Sequence, residues 1–459
     1  MTSSTGLLGK LRTMGLRGTL LVSLAGVVAV LALLLSTREW GVGRAADGSP
    51  RWKYLLEDVS DRSVYQQRGA WLPTGLTPYT EVHSEYPQLA TWFFGVPYLF
   101  FDSEVQPGVL PTVARLKAEN EPYGRVWQVL MALVLGGLLL ATALCLRELS
   151  RSPAWVLLFF LPGPLYFTFS RFDVLPSLLV MIALLLQLRG RRVGAAVMLA
   201  LGAMMKWYPA LLLPLFLAYN LHATDAPGAD APPGARRDGW RARLLGAVIR
   251  PGLAAGLVVL AVLVVNYAWR GGGLPAVLHH YEWHLKRPPN AGSLVFAMSA
   301  PGRWEWVAQE SVPTLIRVLT LVQFLPAILL ALLPVRSRGA LLLGCLTVVL
   351  AFTLFTKDFS PQWIVWIAPL AILLAADSWP CRLLLPVLAV MVYVQMPLLY
   401  YERLQPGGTL VESAAFWAAS DTRIALLGLF FAWSATAFVR SVRRDRRAAA
   451  TRPDMAPAT

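Results

Sequence analysis

A chain of 459 residues that is 56% hydrophobic and only 15% charged lies outside the range of soluble domains. The formal charge of +15 would point to nucleic acid in a soluble protein. Here most Arg and Lys residues lie between apolar runs, where the positive-inside rule collects them, so no nucleic-acid partner is expected. Cys145, Cys345 and Cys381 sit in or beside apolar runs without CxxC spacing, and read as small buried hydrophobes rather than a disulfide framework or a metal site.

Runs such as Gly18–Leu35, Gln128–Leu146 and Leu253–Val265 suit helices crossing a bilayer core, which takes roughly 20 residues. The alternating pattern of a membrane barrel is missing, so an all-α polytopic membrane protein is predicted. Residues 1–17 form a basic cytoplasmic N-terminus, and the first run reads as an uncleaved signal anchor. About twelve spans follow within residues 18–440: 18–36, 123–146, 154–170, 174–188, 193–205, 207–221, 251–269, 313–334, 339–356, 361–376, 381–400 and 421–440. A first extracytoplasmic loop covers 37–122, a flexible cytoplasmic loop 222–250, a second extracytoplasmic loop 270–312, and a disordered basic cytoplasmic tail 441–459. Ala90–Phe101 is apolar but short, and counting it as a span would move every later basic loop to the wrong side. It is therefore assigned to an interfacial or re-entrant helix. Both termini are then cytoplasmic in a multi-pass plasma-membrane protein.

This topology sorts the polar residues. Glu57, Asp58, Asp61, Glu81, His83, Glu85, His279, His280, His284, Lys286 and Arg287 fall outside, and Arg171, Asp173, Lys206, Lys357 and Asp358 interrupt apolar sequence at the outer ends of spans. Such interruptions are either turn residues wetted at the interface or members of a shared polar cavity, and three on one side favour the cavity. A first-loop carboxylate could serve as a general base, against the plainer reading of a solvated acidic loop. His280 and His284 are i,i+4 on a helix, but no second ligand pair accompanies them, so no metal site is expected. Contact with an anionic phosphate, together with Lys286 and Arg287, suits them better. Trp207, Tyr208 and Trp363 could stack on sugar faces or belong to an interfacial aromatic belt.

The order Asp61-x-x-Val64-Tyr65, Gly75-x-x-Pro78-Tyr79, Tyr86-Pro87 resembles the first outer loop of glycosyltransferase family 87, which contains polyprenol-phosphate-mannose-dependent mannosyltransferases. Lys206-Trp207-Tyr208-Pro209 resembles that family's Lys-x-x-Pro, and Lys357-Asp358-Phe359-Ser360-Pro361-Gln362-Trp363 its Lys-x-x-Ser-Pro-Gln-aromatic element. The resemblance covers about residues 18–440. The sequence departs from the usual Tyr-Pro-Pro-Leu at Tyr86-Pro87-Gln88-Leu89. The resemblance implies a GT-C bundle with interfacial helices in the first outer loop. It also implies transfer of a hexose, mannose in that family, from a polyprenyl-phosphate donor to a lipid or glycan acceptor at the extracytoplasmic face. Asp61 maps onto the catalytic base, with Asp58 as the alternative. Arg171, Lys206, Lys357, His284, Lys286 and Arg287 are the candidates for holding the donor phosphate. Tyr65, Tyr79, Glu85, Asp173, Tyr208, Asp358, Gln362 and Trp363 are the candidates for sugar or acceptor contact. No cofactor or divalent metal is required. A secondary transporter or a flippase for lipid-linked glycans is the rival from another class, and a non-catalytic assembly factor a third.

Overall fold

The computed structural model describes residues 14–36, 55–111, 116, 120–223, 240–400 and 413–450. Among them no strand occurs, and the fold is all-α and polytopic. The principal helices are α1 (Leu16–Ser36), α2 (Val59–Gly69), α3 (Gln88–Gly95), α4 (Asn120–Glu148), α5 (Pro162–Ser170), α6 (Val174–Leu188), α7 (Arg192–Met205), α8 (Leu213–His222), α9 (Arg250–Ala268), α10 (Gly273–Lys286), α11 (Val312–Ala331), α12 (Arg338–Phe355), α13 (Ile364–Ala375), α14 (Trp379–Tyr393) and α15 (Ala414–Ala450).

Each of the twelve expected segments is helical, but their lengths divide them. Seven helices are long and apolar enough to cross a bilayer: Leu16–Ser36, Glu121–Glu148, Trp240–Ala268, Gln309–Ala331, Arg338–Phe355, Trp379–Leu399 and Ala414–Ala448. Pro153–Phe160 and Pro162–Ser170 make an eighth only if a 71° bend between them is allowed within one span. The others are short. At 1.5 Å per residue, the 15 residues of α6 reach about 22 Å, against a hydrocarbon core of about 30 Å. Among the described residues, length and composition thus support seven spans, or eight with the bent pair, of the twelve expected.

The short helices stop for a local reason. The chain turns extended at Arg171, at Lys206 and at Thr356, each directly after a helix end. Pro209 and Pro361 open the turns that follow Lys206 and Thr356, where a missing N–H costs nothing. Charged side chains thus lie at helix ends and not within hydrocarbon-facing turns. The short helices are also the inner ones: every residue of α13 is buried, while α9 and α11 expose Leu253, Leu257, Leu260, Leu321 and Ile328. α1 buries Thr19, Ser23, Val27 and Leu34, one stripe at helical spacing, and leaves Leu21, Leu24 and Val28 exposed.

Ala90–Phe101 forms two short pieces, α3 and a 3-10 turn at Val96–Phe100, neither long enough to span. α3 lies against α2 so closely that a Cβ on Gly69 would come within 2.0 Å of the Phe94 carbonyl oxygen. Two expected boundaries change. α15 continues through Ala450, so the first part of the segment predicted to be disordered is helical, as its run of Arg and Ala without a breaker favours. Trp240–Ile249, assigned to the flexible loop, is helical and feeds directly into α9. Residues 1–13, 37–54, 224–239 and 451–459 of the expected segments lie outside the described residues.

Candidate active site

Two carboxylates of the first loop share one guanidinium. Asp58 precedes α2 and Asp61 lies in its first turn, so both face the same side. Arg171, at the end of α5, pairs with Asp58 through Nη2 and with Asp61 through Nε at 2.8 Å. It also donates to the Ser170 carbonyl at 3.2 Å and to Gln362 Oε1 at 3.3 Å. The Asp58 backbone N–H donates to Ser170 Oγ at 2.9 Å, which fixes the entry to α2 on α5. Arg171 and Asp58 are buried, whereas the Asp61 side chain keeps 33% of its surface open.

A second buried pair supports this clamp. Glu57 is paired with Arg62, and its other oxygen accepts from Gln128 Nε2 at 2.7 Å. The Arg62 guanidinium lies over Gly124 of α4, where a Cβ would meet its Cζ at 2.8 Å. Buried ion pairs survive only with such additional hydrogen bonds, because desolvation offsets most of the Coulombic gain.

Removal from bulk water raises the pKa of Asp61, the largest effect on it. Arg171 pulls it back down, Asp58 raises it, Lys206 lowers it and Asp173 raises it further. The nearby charges are three carboxylates, Asp58, Asp61 and Asp173, against two cations, Arg171 and Lys206. A group in this setting ionises less readily than a free carboxylate and is a better proton acceptor when it does.

Beside the clamp, Lys206 Nζ is 3.3 Å from Asp173 Oδ1 and lies over the rings of Phe172 at 4.7 Å, Tyr86 at 5.6 Å and Trp366 at 5.8 Å. Trp366 Nε1 donates to the same Asp173 oxygen at 3.0 Å. The other, Oδ2, is buried with no hydrogen-bond partner among the described residues. Tyr208 stacks on Trp366 at 4.2 Å, and Trp363 on its other side at 4.8 Å.

A third group closes the rim. Asp358 pairs with Arg287 at 2.6 Å and accepts from Asn290 Nδ2 at 2.8 Å, while Lys357 Nζ donates to the Leu285 carbonyl at 3.0 Å. Burial raises the Asp358 pKa, opposed by Arg287, Lys206 and Lys357. His284 lies within 3.0 Å of the Glu85 carbonyl oxygen, so its Nε2 carries the proton that makes this bond. Burial, with the Lys206 charge next, pushes its pKa down to about 4. His284 is therefore a neutral donor at neutral pH and supplies no positive charge to a phosphate.

The sequence-derived candidates thus separate. Asp58, Asp61, Arg171 and Gln362 form one network, and Asp173, Lys206, Tyr208 and Trp363 adjoin it. Lys357, Asp358, Arg287 and His284 edge it. Arg171, expected to bind phosphate, commits its donors to carboxylates and carbonyl oxygens instead. Lys286 is 80% exposed and pairs only with Glu282 of its own helix, at 3.6 Å. Tyr65 is buried in an aromatic stack with Phe94 and Trp127. The Tyr79 hydroxyl lies 2.8 Å from the Tyr86 carbonyl and 2.9 Å from Thr91 Oγ1, holding the first-loop turn. Glu85 pairs with Arg68 at 2.8 Å. Among the described residues no group of three metal-ligating side chains occurs.

Three members were not singled out from the sequence. Trp366 lies in an unbroken apolar run and carries no signal beyond its spacing of three from Trp363. Asn290 follows two prolines in a polar stretch. Tyr86 was visible only as a motif letter, yet burial and then the Asp61 charge raise its pKa well above a tyrosine's usual value. An apolar groove of about 440 Å³ runs between α7 and α9 and is walled by small residues including Ala203, Ala210, Ala255 and Gly256. Ala203 and Ala210 of its lining are three and four residues from Lys206 in the chain. No family model matches the chain, and no curated protein matches its sequence.

Proposed function

We propose that the protein is an integral-membrane hexosyltransferase with a GT-C-type bundle, using a polyprenyl-phosphate-linked sugar, mannose being the first choice. The observation that carries this reading is the unequal carboxylate pair on Arg171. Asp58 is locked and inaccessible, while Asp61 is open, withdrawn from bulk water and raised in pKa.

In this scheme Asp61 takes the proton of an acceptor hydroxyl as its oxygen attacks the anomeric carbon. The bond from that carbon to the donor phosphate breaks, and its electron pair leaves with the polyprenyl phosphate. One displacement gives inversion. Lys206 is the cation best suited to the leaving phosphate, with Lys357 and Arg287 at the rim. Arg171 is a positioning residue that orients Asp61. The groove beside Ala203 suits an isoprenoid chain whose phosphate reaches Lys206. The motif resemblance to glycosyltransferase family 87 supports the donor class.

The test is transfer of labelled mannose from polyprenyl-phosphate-mannose in membranes carrying the wild-type or the Asp61→Asn protein. Incorporation that falls by about 10²–10⁴-fold in the variant, with equal membrane insertion, is the expected result for loss of a general base. Equal incorporation in both would remove Asp61 from the mechanism. Incorporation by neither, across a panel of carrier-linked sugars, would leave the transporter reading.

A further inference from the structure

A second site lies at the opposite end of the bundle. α15 passes the polar cluster at Arg423, which donates to the Gly292 carbonyl and to Gln395 Oε1 at 2.7 Å. Arg440 and Arg444 are 17 and 21 residues further along the same helix, or about 26 and 32 Å. There a cavity of about 820 Å³ opens between the start of α12, the turn into α14 and the last third of α15.

Its lining is of two kinds. The apolar floor is shallow and open: Leu343 of α12 is half-buried, and Leu429 and Ala432 of α15 are exposed. The mouth holds Arg151, Asp377, Trp379, Trp433, Arg440 and Arg444. Arg151 is neutralised by Asp377 and also donates to the Leu373 carbonyl. Arg440 and Arg444, one turn apart on α15, form no ion pair among the described residues, so the mouth carries two uncompensated positive charges. Trp379, 66% exposed, stands beside them.

We propose that this cavity binds an anionic phospholipid, with the phosphodiester between Arg440 and Arg444 and the upper acyl chains over the floor of Leu343 and Ala432. Each component answers one part of such a lipid. A soluble anion has no use for the apolar floor, and a zwitterionic lipid gives no return for two unpaired arginines. An exposed indole is at its most stable where headgroups meet hydrocarbon. Arg440 and Arg444 lie on the part of α15 that lines the cavity, and arginines clustered on a helix at a membrane surface hold lipid headgroups. The inference stands on this lining alone and is independent of glycosyl transfer.

The experiment is native mass spectrometry of the full-length protein. It is exchanged into phosphatidylglycerol or phosphatidylcholine with identical acyl chains, and retained lipid is counted. Wild type should retain the anionic lipid by about thirtyfold over the zwitterionic one, from about 1 kcal/mol for each of two arginines at the surface. The double variant Arg440→Gln, Arg444→Gln should lose this preference. Ala432→Trp, which fills the floor and removes no charge, should lower retention of both lipids. The pair Arg443→Gln, Arg446→Gln, outside the cavity, should change nothing. Equal retention of the two lipids by wild type would overturn the site. So would full retention in Ala432→Trp or an equal loss in the control pair, which would indicate diffuse surface charge. Displacement of the lipid by millimolar inorganic phosphate would overturn it in favour of a soluble anion.

Discussion

Asp58 and Asp61 are three residues apart and share Arg171, yet they are predicted to fail differently. Asp58→Asn removes the fully buried one of Arg171's two carboxylate partners and leaves it only the half-open Asp61, which destabilises the fold. It should lower the unfolding temperature and the yield of inserted protein as well as transfer. Asp61→Asn leaves the Asp58 pair in place and should unfold close to the wild-type temperature while transfer is lost. A variant pair with the reverse pattern would move the base to Asp58. The pH dependence follows from the same environment. A base must be ionised, and the Asp61 pKa is raised, so transfer should fall on acidification at a pH above the ordinary carboxylate range. His284, with its pKa near 4, adds no step between pH 5 and 8. His284→Gln, which preserves a donor to the Glu85 carbonyl, should then retain most activity across that range. The sequence identified Arg171 and Lys206 as exceptional because charge in an apolar run is costly, and Asp61 only through the motif resemblance of the first loop. It could not pair them: Asp58 and Arg171 are 113 positions apart, and Trp366 and Asp173 193 apart. A tryptophan inside a continuous apolar run is indistinguishable from packing until its indole N–H is seen to reach a carboxylate.

At the level of elements, α2 is held to the bundle by close approaches that tolerate no added atom. Gly69→Ala would drive a methyl group into the Phe94 carbonyl, and relief requires α2 and α3 to separate. The expected cost is about 1–3 kcal/mol, and the clamp on Asp61 should loosen with it. Limited proteolysis of the first loop should become faster in this variant, and an unchanged digestion rate would show that α3 yields easily. α10 is held differently. His280 is buried, and desolvation, with His284 and His279 adding to it, pushes its pKa down to about 3. A base depressed on folding keeps its full contribution above its unfolded pKa of about 6.5, and that contribution is lost as pH falls toward 3. At pH 5 the loss is about 2 kcal/mol. Melting curves at pH 7 and pH 5 should differ by less in His280→Leu than in wild type. Helix positions were legible from apolar runs, but their lengths were not. A run that stops at 15 residues reads as a span when no neighbour is visible, and α5 and α7 end where the chain turns extended at the charged Arg171 and Lys206.

Over the whole molecule, the predicted sidedness can be measured directly because Cys145, Cys345 and Cys381 are all buried. With this silent background, an impermeant thiol reagent added to intact cells should label His83→Cys and spare Arg444→Cys until the membrane is opened. Labelling of both from outside would contradict the topology. The all-α architecture and the grouping of charge were within reach of the sequence because both follow from the cost of polar groups in hydrocarbon. The division into inner and outer helices was not, since a buried apolar face and a lipid-facing one have the same composition. That division has a consequence for how the protein meets its surroundings. The helices too short to reach across a bilayer, α6, α7 and α13, are buried or partly buried, while the exposed surface belongs largely to long ones such as α1, α9 and α11. A change in bilayer thickness is therefore felt first as a tilt of the outer ring. Lys206 ends α7 and Asp173 caps α6, both helices that the lipid does not measure, so the geometry of their pair is insulated from bilayer thickness.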